Sequence, residues 1–310
     1  MNRNIEEFID KDININIDED GIMSAIILNM CYGKHIGGFN NNDTVVIVEE
    51  DKGIRDNIYI DLHVGYEDIK SIDQHCVAVD KIHLKQLQNN ENKMNPNIEY
   101  GISWNNFTDK FCYSTTIYLI AKIEGEGYDF KDIDLYKEVD DGITLGDLLW
   151  YTDSSYLSWF KYNRNASNWN KILIELSHNG DFTNKLLDYL IKGIPQEYLA
   201  LDKFKTDMTF FFKKKFGCSN NHGGMKGEYI DENGYLLPQM LHYLETMHSY
   251  FECNATYLND KKFKKIEGLK SKAFKYQDYE DRFDSTKLFS YGLIWGKYRN
   301  DRNNIRATYE

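Results

Sequence analysis

A short alternating strand that runs into an acidic glycine turn and on into an apolar helix occupies Ile13 to Ala25. Ile13, Ile15 and Ile17 fall on one side of it, at the period of two that a pleated strand imposes. Asp18-Glu19-Asp20-Gly21 closes the strand, and Ile22 to Met30 reads as a helix. A strand that delivers carboxylates to its carboxyl end before a helix belongs to an α/β sheet, and such sheets bind ligands at that mouth. Further strands are expected downstream. Thr44 to Val48 is a continuous β-branched run, which predicts a buried parallel strand. Ile58 to Ile60 ends at Asp61, and Ile69 to Ile72 ends at Asp73. Aspartate is common at strand ends and helix caps, so one case means little. Three within the first 75 residues point to a shared site.

Charge narrows the partners. A net charge of −12 and a pI near 5.2 argue against a chain that coats nucleic acid or an anionic membrane through bulk charge. A local basic groove is still allowed. The five cysteines, Cys31, Cys76, Cys112, Cys218 and Cys253, are odd in number and widely spaced, with no C-x-x-C pair. That pattern disfavours a disulfide framework or zinc knuckle and fits a reducing compartment. The amino terminus lacks the apolar core of a signal peptide, and no run has the length of a membrane helix. The expected location is cytoplasmic, with no membrane partner; a homodimer is permitted.

Gly33 and Gly37-Gly38 predict a turn after the first helix, and the polar stretch Asn89 to Asn97 predicts a loop. Thr115 to Ile123 is a buried helix by its apolar run, and Leu145 to Phe160 an aromatic-rich one. Lys171 to Ser177 and Asn184 to Lys192 read as amphipathic helices. Gly193-Ile194-Pro195 is the clearest break in the middle of the chain. It suggests two domains, residues 1–195 with a mostly parallel sheet and flanking helices, and residues 196–310 as a smaller α+β region. Gln196 to Phe216 would open the second with a long helix ending in Lys213 to Lys215. Leu288 to Trp295 and Ile305 to Tyr309 would close it as strands.

The carboxylates set the chemistry. Hydrolysis of a phosphoester by metal ions needs hard oxygen ligands from separate strands, and a pair of ions can clamp the attacking and leaving oxygens. Oxygen-rich ligation with an occasional imidazole suits Mn²⁺ or Mg²⁺ better than zinc. This chain offers Asp18, Asp20, Asp61, Asp73, His75 and the pair Asp140-Asp141.

On these residues, roughly 10–150 resemble the DHH phosphoesterases, a superfamily that includes RecJ-type exonucleases, nanoRNases and cyclic-dinucleotide phosphodiesterases. Asp18-Glu19-Asp20-Gly21 followed by Ser24-Ala25 resembles the first motif, Asp61 in I-Y-I-D-L the second, Asp73-Gln74-His75 the name-giving third, and Asp140 or Asp141 the fourth. The resemblance implies two Mn²⁺ or Mg²⁺ ions held by Asp18, Asp20, Asp140 or Asp141, with Asp61 bridging. Gln74 stands where the family has a ligating histidine, and its amide oxygen would be the weaker, neutral substitute. Asp73 would orient the loop, and His75 would touch the scissile phosphate or protonate the leaving oxygen. The family's glycine-rich carboxyl-terminal signature has a loose counterpart in His222-Gly223-Gly224 and Lys226, candidate substrate contacts. The implied activity is phosphodiester hydrolysis of short oligonucleotides, strand ends or (cyclic) nucleotides by metal-activated water.

Two other readings stay open. Gln74 also suits a catalytically inactive relative that binds a nucleotide or scaffolds a complex. The D-x-D after a buried strand also resembles HAD phosphatases, with Asp18 as nucleophile, although Ile22 stands where they carry Thr or Val and D-Q-H has no role there. An EF-hand fails, because Ile27 occupies the twelfth loop position in place of glutamate. Single residues carry less. His63 is expected at the surface, His83, His178, His242 and His248 show no metal-like pairing, and Trp169 beside Asn163-Arg164-Asn165 is expected to pack.

Overall fold

The computed structural model describes residues 4–41, 44–152, 166–193, 198–218, 224–225, 228–275, 284–294 and 304–309. His222, Gly223, Lys226 and Asn163 to Asn165 lie outside the described residues, as does the proposed break at Ile194-Pro195.

Helix α1 (Ile5–Phe8) precedes strand β1 (Ile13–Asn16), which feeds helix α2 (Glu19–Tyr32) through Asp18. Gly21 is required at this junction. A Cβ there would lie 2.1 Å from the Asn16 carbonyl oxygen, so the first turn of α2 can pass over the strand end only without a side chain. From Glu19 to Leu28 every residue of α2 is buried, as expected of a helix covered on all sides. Strands β2 (Ile36–Asn40) and β3 (Val45–Val48) follow, then β4 (Ile58–Ile60), β5 (Ser71–Ile72), helix α3 (Lys81–Asn89), β6 (Lys93–Met94) and helix α4 (Pro96–Glu99). Helix α5 (Thr115–Gly125) packs on α2, and its N-cap Ser114 accepts a hydrogen bond from the Ile117 amide.

Among the described residues, seven strands form the central sheet in the order β6-β5-β4-β1-β2-β3-β9, where β9 is Phe263–Lys265. The neighbours from β6 to β2 pair in parallel, while β3 runs antiparallel to both β2 and β9. The fold is therefore α/β with a mostly parallel sheet. Chain beyond residue 195 returns to this sheet through β9. The remaining strands form two small antiparallel sheets. One pairs β7 (Glu138–Asp140) with β8 (Ile143–Thr144), and the other has the order β10-β12-β11, from Lys270–Lys275, Asn304–Tyr309 and Ser290–Ile294. The helices α6 (Leu145–Tyr151), α7 (Ala166–Leu176), α8 (Asp181–Gly193), α9 (Tyr198–Phe216) and α10 (Pro238–Tyr250) complete the layers. None of the helices among the described residues is long and apolar enough to cross a membrane.

Three expectations change. The run Thr44 to Val48 is antiparallel, because Asn41 and Thr44 already close on each other by a 2.9 Å backbone bond, and so tight a turn can only reverse the chain. Gly37-Gly38 lies inside β2, where a Cβ on Gly38 would come within 2.3 Å of both the Asn14 side chain and the Val46 carbonyl oxygen. The polar stretch Asn89 to Asn97 contains the edge strand β6, whose Lys93 ammonium binds the Tyr66 and Ile69 carbonyls of the β4–β5 connection. That connection contains no helix, although β4 and β5 are parallel.

Candidate functional site

The order of the sheet places the site. The chain leaves β1 toward β2 on one side and leaves β4 toward β5 on the other, so β1 and β4 are neighbours at a topological switch point. The crevice beyond their carboxyl ends is where open α/β sheets take ligands. Asp18 and Asp61 stand there.

Asp18 is the N-cap of α2. Its Oδ1 accepts from the Gly21 amide at 3.2 Å and its Oδ2 from the Asn16 side-chain amide at 2.7 Å. The same Asn16 nitrogen donates to Asp61 Oδ2 at 3.2 Å, so two carboxylates converge on one donor. Asp61 is 1% exposed and sits at φ 59°, a left-handed backbone that costs a non-glycine residue about 1–2 kcal/mol. Its Oδ1 accepts from His75 Nε2 at 2.9 Å and from the Thr115 hydroxyl at 2.8 Å. Burial works to raise its pKa, but the charge and hydrogen bond of His75 outweigh it and hold the carboxyl below its ordinary value.

Asp20 lies one turn deeper. Its carboxylate caps α5, accepting the Thr115 amide at 2.8 Å, the Thr116 amide at 2.8 Å and the Thr116 hydroxyl at 2.7 Å. Burial, followed by the charge of Asp61, pushes its pKa well up against the Thr116 hydrogen bonds. Between the two aspartates, Glu19 is fully buried and accepts from the Tyr243 hydroxyl of α10 at 3.1 Å.

Asp73 organises the loop that carries His75. Its Oδ1 accepts from the amides of His75 at 2.8 Å and Cys76 at 2.9 Å, and from Asn95 Nδ2 at 3.1 Å. Its Oδ2 contacts His63 Nδ1 at 3.1 Å. Burial opposes ionisation, yet His63 and the amide donors bring the carboxyl down to about 2. His75 has a side chain 48% exposed, and its pKa rises to about 9 because Asp61 outweighs the effect of burial. Gln74 is buried, and its backbone carbonyl accepts from Asn97 Nδ2 at 2.6 Å.

His63 corrects the expectation of a surface position: it is 2% exposed. It belongs to a chain of three rings in contact, His63, Tyr291 and His83. The Val79 amide donates to His83 Nδ1 at 3.2 Å, so His83 carries its proton on Nε2 and donates to the Tyr291 hydroxyl at 2.8 Å. Tyr291 in turn meets His63 Nε2 at 3.2 Å, and His63 closes on Asp73. The β10-β12-β11 sheet is thereby tied to the loop that holds His75.

The structure therefore brings Asp18, Asp20, Asp61, Asp73, Gln74 and His75 to one end of the sheet. Asp140 and Asp141 have other neighbours. Asp140 pairs with Lys215 and accepts from the Tyr250 hydroxyl, and Asp141 lies 3.7 Å from Lys214. Gly224 is described without its flanking His222, Gly223 and Lys226. Trp169 packs as expected, 3% exposed, its indole NH on the Asp109 carbonyl. Sequence reasoning missed Asn16, Thr115 and Thr116 as partners of the carboxylates. The one signal was Ser114-Thr115-Thr116 before an apolar run, a capping pattern that promises free amides at a helix start.

Could these residues hold a cation? Among the described residues, no three His, Cys, Asp or Glu side chains stand in ready ligating geometry. The donor set still fits a hard cation. Asp18 and Asp61 face one amide between them, so two carboxylates present oxygen donors side by side at the mouth. Compared with known protein families, curated proteins and solved structures, the chain has no match in any of the three.

Proposed function

We propose that the chain is a DHH-type phosphodiesterase dependent on a divalent cation, acting on short oligonucleotides, strand ends or small (cyclic) nucleotides. The observation that supports this most is the meeting of Asp18, Asp61 and His75 at the switch point, around the shared Asn16 amide. Mn²⁺ or Mg²⁺ suits these oxygen donors; when bound, such an ion neutralises phosphate charge and makes water a stronger nucleophile at neutral pH.

Asp18 and Asp61 would hold the ion, with the Gln74 amide oxygen and His75 beside it. A second ion would draw on Asp20 and would have to displace hydrogen bonds from Thr115 or Thr116. As the water oxygen bonds to phosphorus and the bond to the leaving oxygen breaks, His75 contacts the phosphate or gives that oxygen its proton. Asp73 keeps His75 in place through the two loop amides.

The test pairs Mn²⁺ binding, read by electron paramagnetic resonance, with turnover of bis-p-nitrophenyl phosphate, short oligonucleotides and cyclic dinucleotides. Asp61→Ala should abolish both. A folded wild-type chain that binds a nucleotide but turns over nothing on this panel with Mn²⁺ would establish the binding-module reading instead. A phosphate trapped covalently on Asp18 would establish the HAD reading.

A further inference from the structure

The resemblance makes Asp20 the partner of Asp18 in holding metal, yet the fold places the two carboxylates differently. Asp18 is half-buried at the mouth, on the Gly21 amide and the Asn16 side chain. Asp20 is buried and reaches to the first turn of α5, 95 positions further along the chain. Its Oδ2 takes the Thr115 amide, and its Oδ1 takes both the amide and the hydroxyl of Thr116. A carboxylate has about four acceptor positions, and α5 fills three of them. The Thr116 hydroxyl has one proton. Its shortest contact, 2.7 Å to Asp20 Oδ1, takes that proton, and Ser24 Oγ then donates to the hydroxyl at 3.0 Å.

The start of a helix carries unpaired amides and about half a positive charge. In α5 the N-cap Ser114 takes the Ile117 amide, and Asp20 takes the amides of Thr115 and Thr116. The helix thus gives Asp20 the counter-charge that the resemblance assigns to a metal ion. A cation on the same oxygens would face the dipole of α5 and leave two buried amides without an acceptor. Thr115 carries the anchor to the site. Its amide is on Asp20 and its hydroxyl is on Asp61 Oδ1 at 2.8 Å, the oxygen that also meets His75 Nε2. Asp61 Oδ2 is left on the Asn16 amide that also serves Asp18.

We propose that Asp20 is a positioning residue and not a metal ligand: it anchors the start of α5 so that the Thr115 hydroxyl holds Asp61 beside Asp18, and the site takes a single divalent cation. The single ion deepens the phosphodiesterase reading and rests on it; the anchoring of α5 does not.

Amide hydrogen exchange of the wild-type full chain, read by NMR in EDTA and again with saturating Mg²⁺, tests both parts without turnover. The Thr115 and Thr116 amides should be protected in EDTA and keep that protection within about threefold when Mg²⁺ is bound. Electron paramagnetic resonance should count one tightly bound Mn²⁺ per chain. Two tight ions with faster exchange at both amides would mean that an ion takes Asp20 away from α5, and would overturn the proposal. Variants separate the roles. Asp20→Asn should weaken Mn²⁺ about tenfold, the size expected when a group that orients a ligand is lost. Thr115→Val should cost about the same and Thr115→Ser should restore wild-type affinity. Asp20→Asn combined with Thr115→Val should lose no more than either alone, because both act through one hydroxyl. A ligand at Asp20 would add its own loss on top of Thr115→Val, about a hundredfold, and that result would overturn the proposal. If Asp20→Asn does not fold, the wild-type exchange and the Thr115 pair still decide, and wild-type Mn²⁺ affinity in Thr115→Val would overturn the positioning role. Protected amides in a chain that binds no Mn²⁺ would strike the cation reading and leave Asp20 as the anchor of α5; turnover with two ions and released amides gives the reverse.

Discussion

Asp61 and Asp140 both stand at the end of a short strand, yet the fold treats their carboxylates in opposite ways. Asp61 is sealed from water, held in a left-handed backbone and bonded by Asn16, Thr115 and His75 from three different parts of the chain. Asp140 has a side chain 28% exposed, and its partners are a lysine at the end of α9 and a tyrosine hydroxyl. A carboxylate buried among donors is expensive to place and expensive to disturb, because each donor is left unpaired when it goes. A solvent-facing ion pair is worth about 1 kcal/mol or less. The family resemblance made Asp61 a bridging ligand and Asp140 or Asp141 a further one; what separates Asp61 from Asp140 in the fold is the number of elements that converge on each.

The comparison breaks most sharply at Asp73, which belongs to the buried set. Asp73→Ala leaves His63 Nδ1 and two loop amides without their acceptor, while Asn95 keeps only the Cys76 carbonyl. The expected loss is about 3–5 kcal/mol in urea unfolding, the range for removing one partner of a buried charged network. A loss below 1 kcal/mol would place Asp73 with Asp140.

The same residue offers a pH test. Its carboxyl is at about 2 in the folded chain against an ordinary value of 3.8. A depressed carboxyl contributes stability that is fully present above pH 4 and is lost as pH falls from 4 toward 2. The contribution is about 2–3 kcal/mol by linkage. Wild type and Asp73→Asn should therefore differ most above pH 4 and converge toward pH 2. A gap that stays constant from pH 6 to pH 2 would remove the ionised Asp73 from the account.

Much of this arrangement follows from local signals. Period-two and apolar runs locate β1, β4, β5, β12 and the buried helix α5, and the acidic turn before α2 is visible as a motif. What escapes local reading depends on partners far along the chain. His63 is buried against Tyr291, 228 positions later, which bonds its Nε2 and packs edge-on against its ring. β6 hides in a polar stretch because its pairing with β5, not its composition, makes it a strand. β3 has the composition of a parallel strand, but the tight turn before it reverses its direction. The clamps on Asp20 come from amides at a helix start; the Ser114-Thr115-Thr116 cap signals those amides, but not that a carboxylate 95 positions earlier takes them.

Tyr291→Phe tests the long-range part of the buried set. It removes the hydroxyl between His63 and His83 and keeps the ring that packs edge-on against His63. The expected cost is about 1–2 kcal/mol, that of leaving buried donors unpaired. If the three-stranded sheet positions the His75 loop, turnover falls with Mn²⁺ affinity unchanged; loss of stability with unchanged turnover would confine Tyr291 to packing.

The smallest effect should come from the other side of the comparison. The fourth-motif resemblance makes Asp140 or Asp141 a metal ligand, and on that basis alanine at the right one would abolish turnover. The geometry predicts otherwise. Asp140 is bound to Lys215 and Tyr250, and Asp141 to Lys214, so each substitution removes a pair near the surface. Asp140→Ala and Asp141→Ala should each cost less than about 1 kcal/mol and leave both Mn²⁺ affinity and turnover within twofold. The two outcomes cannot coexist. A drop of a hundredfold in Mn²⁺ affinity at either residue would mean that β7 swings toward the switch point when the ion binds, breaking the Lys215 pair to do so. A flat result would leave Asp18 and Asp61, with the Gln74 amide oxygen beside them, as the described residues that hold the first ion. That is a smaller ligand set than the resemblance implies, and the buried network around Asp73 would then have to supply the rigidity that an additional carboxylate would otherwise provide.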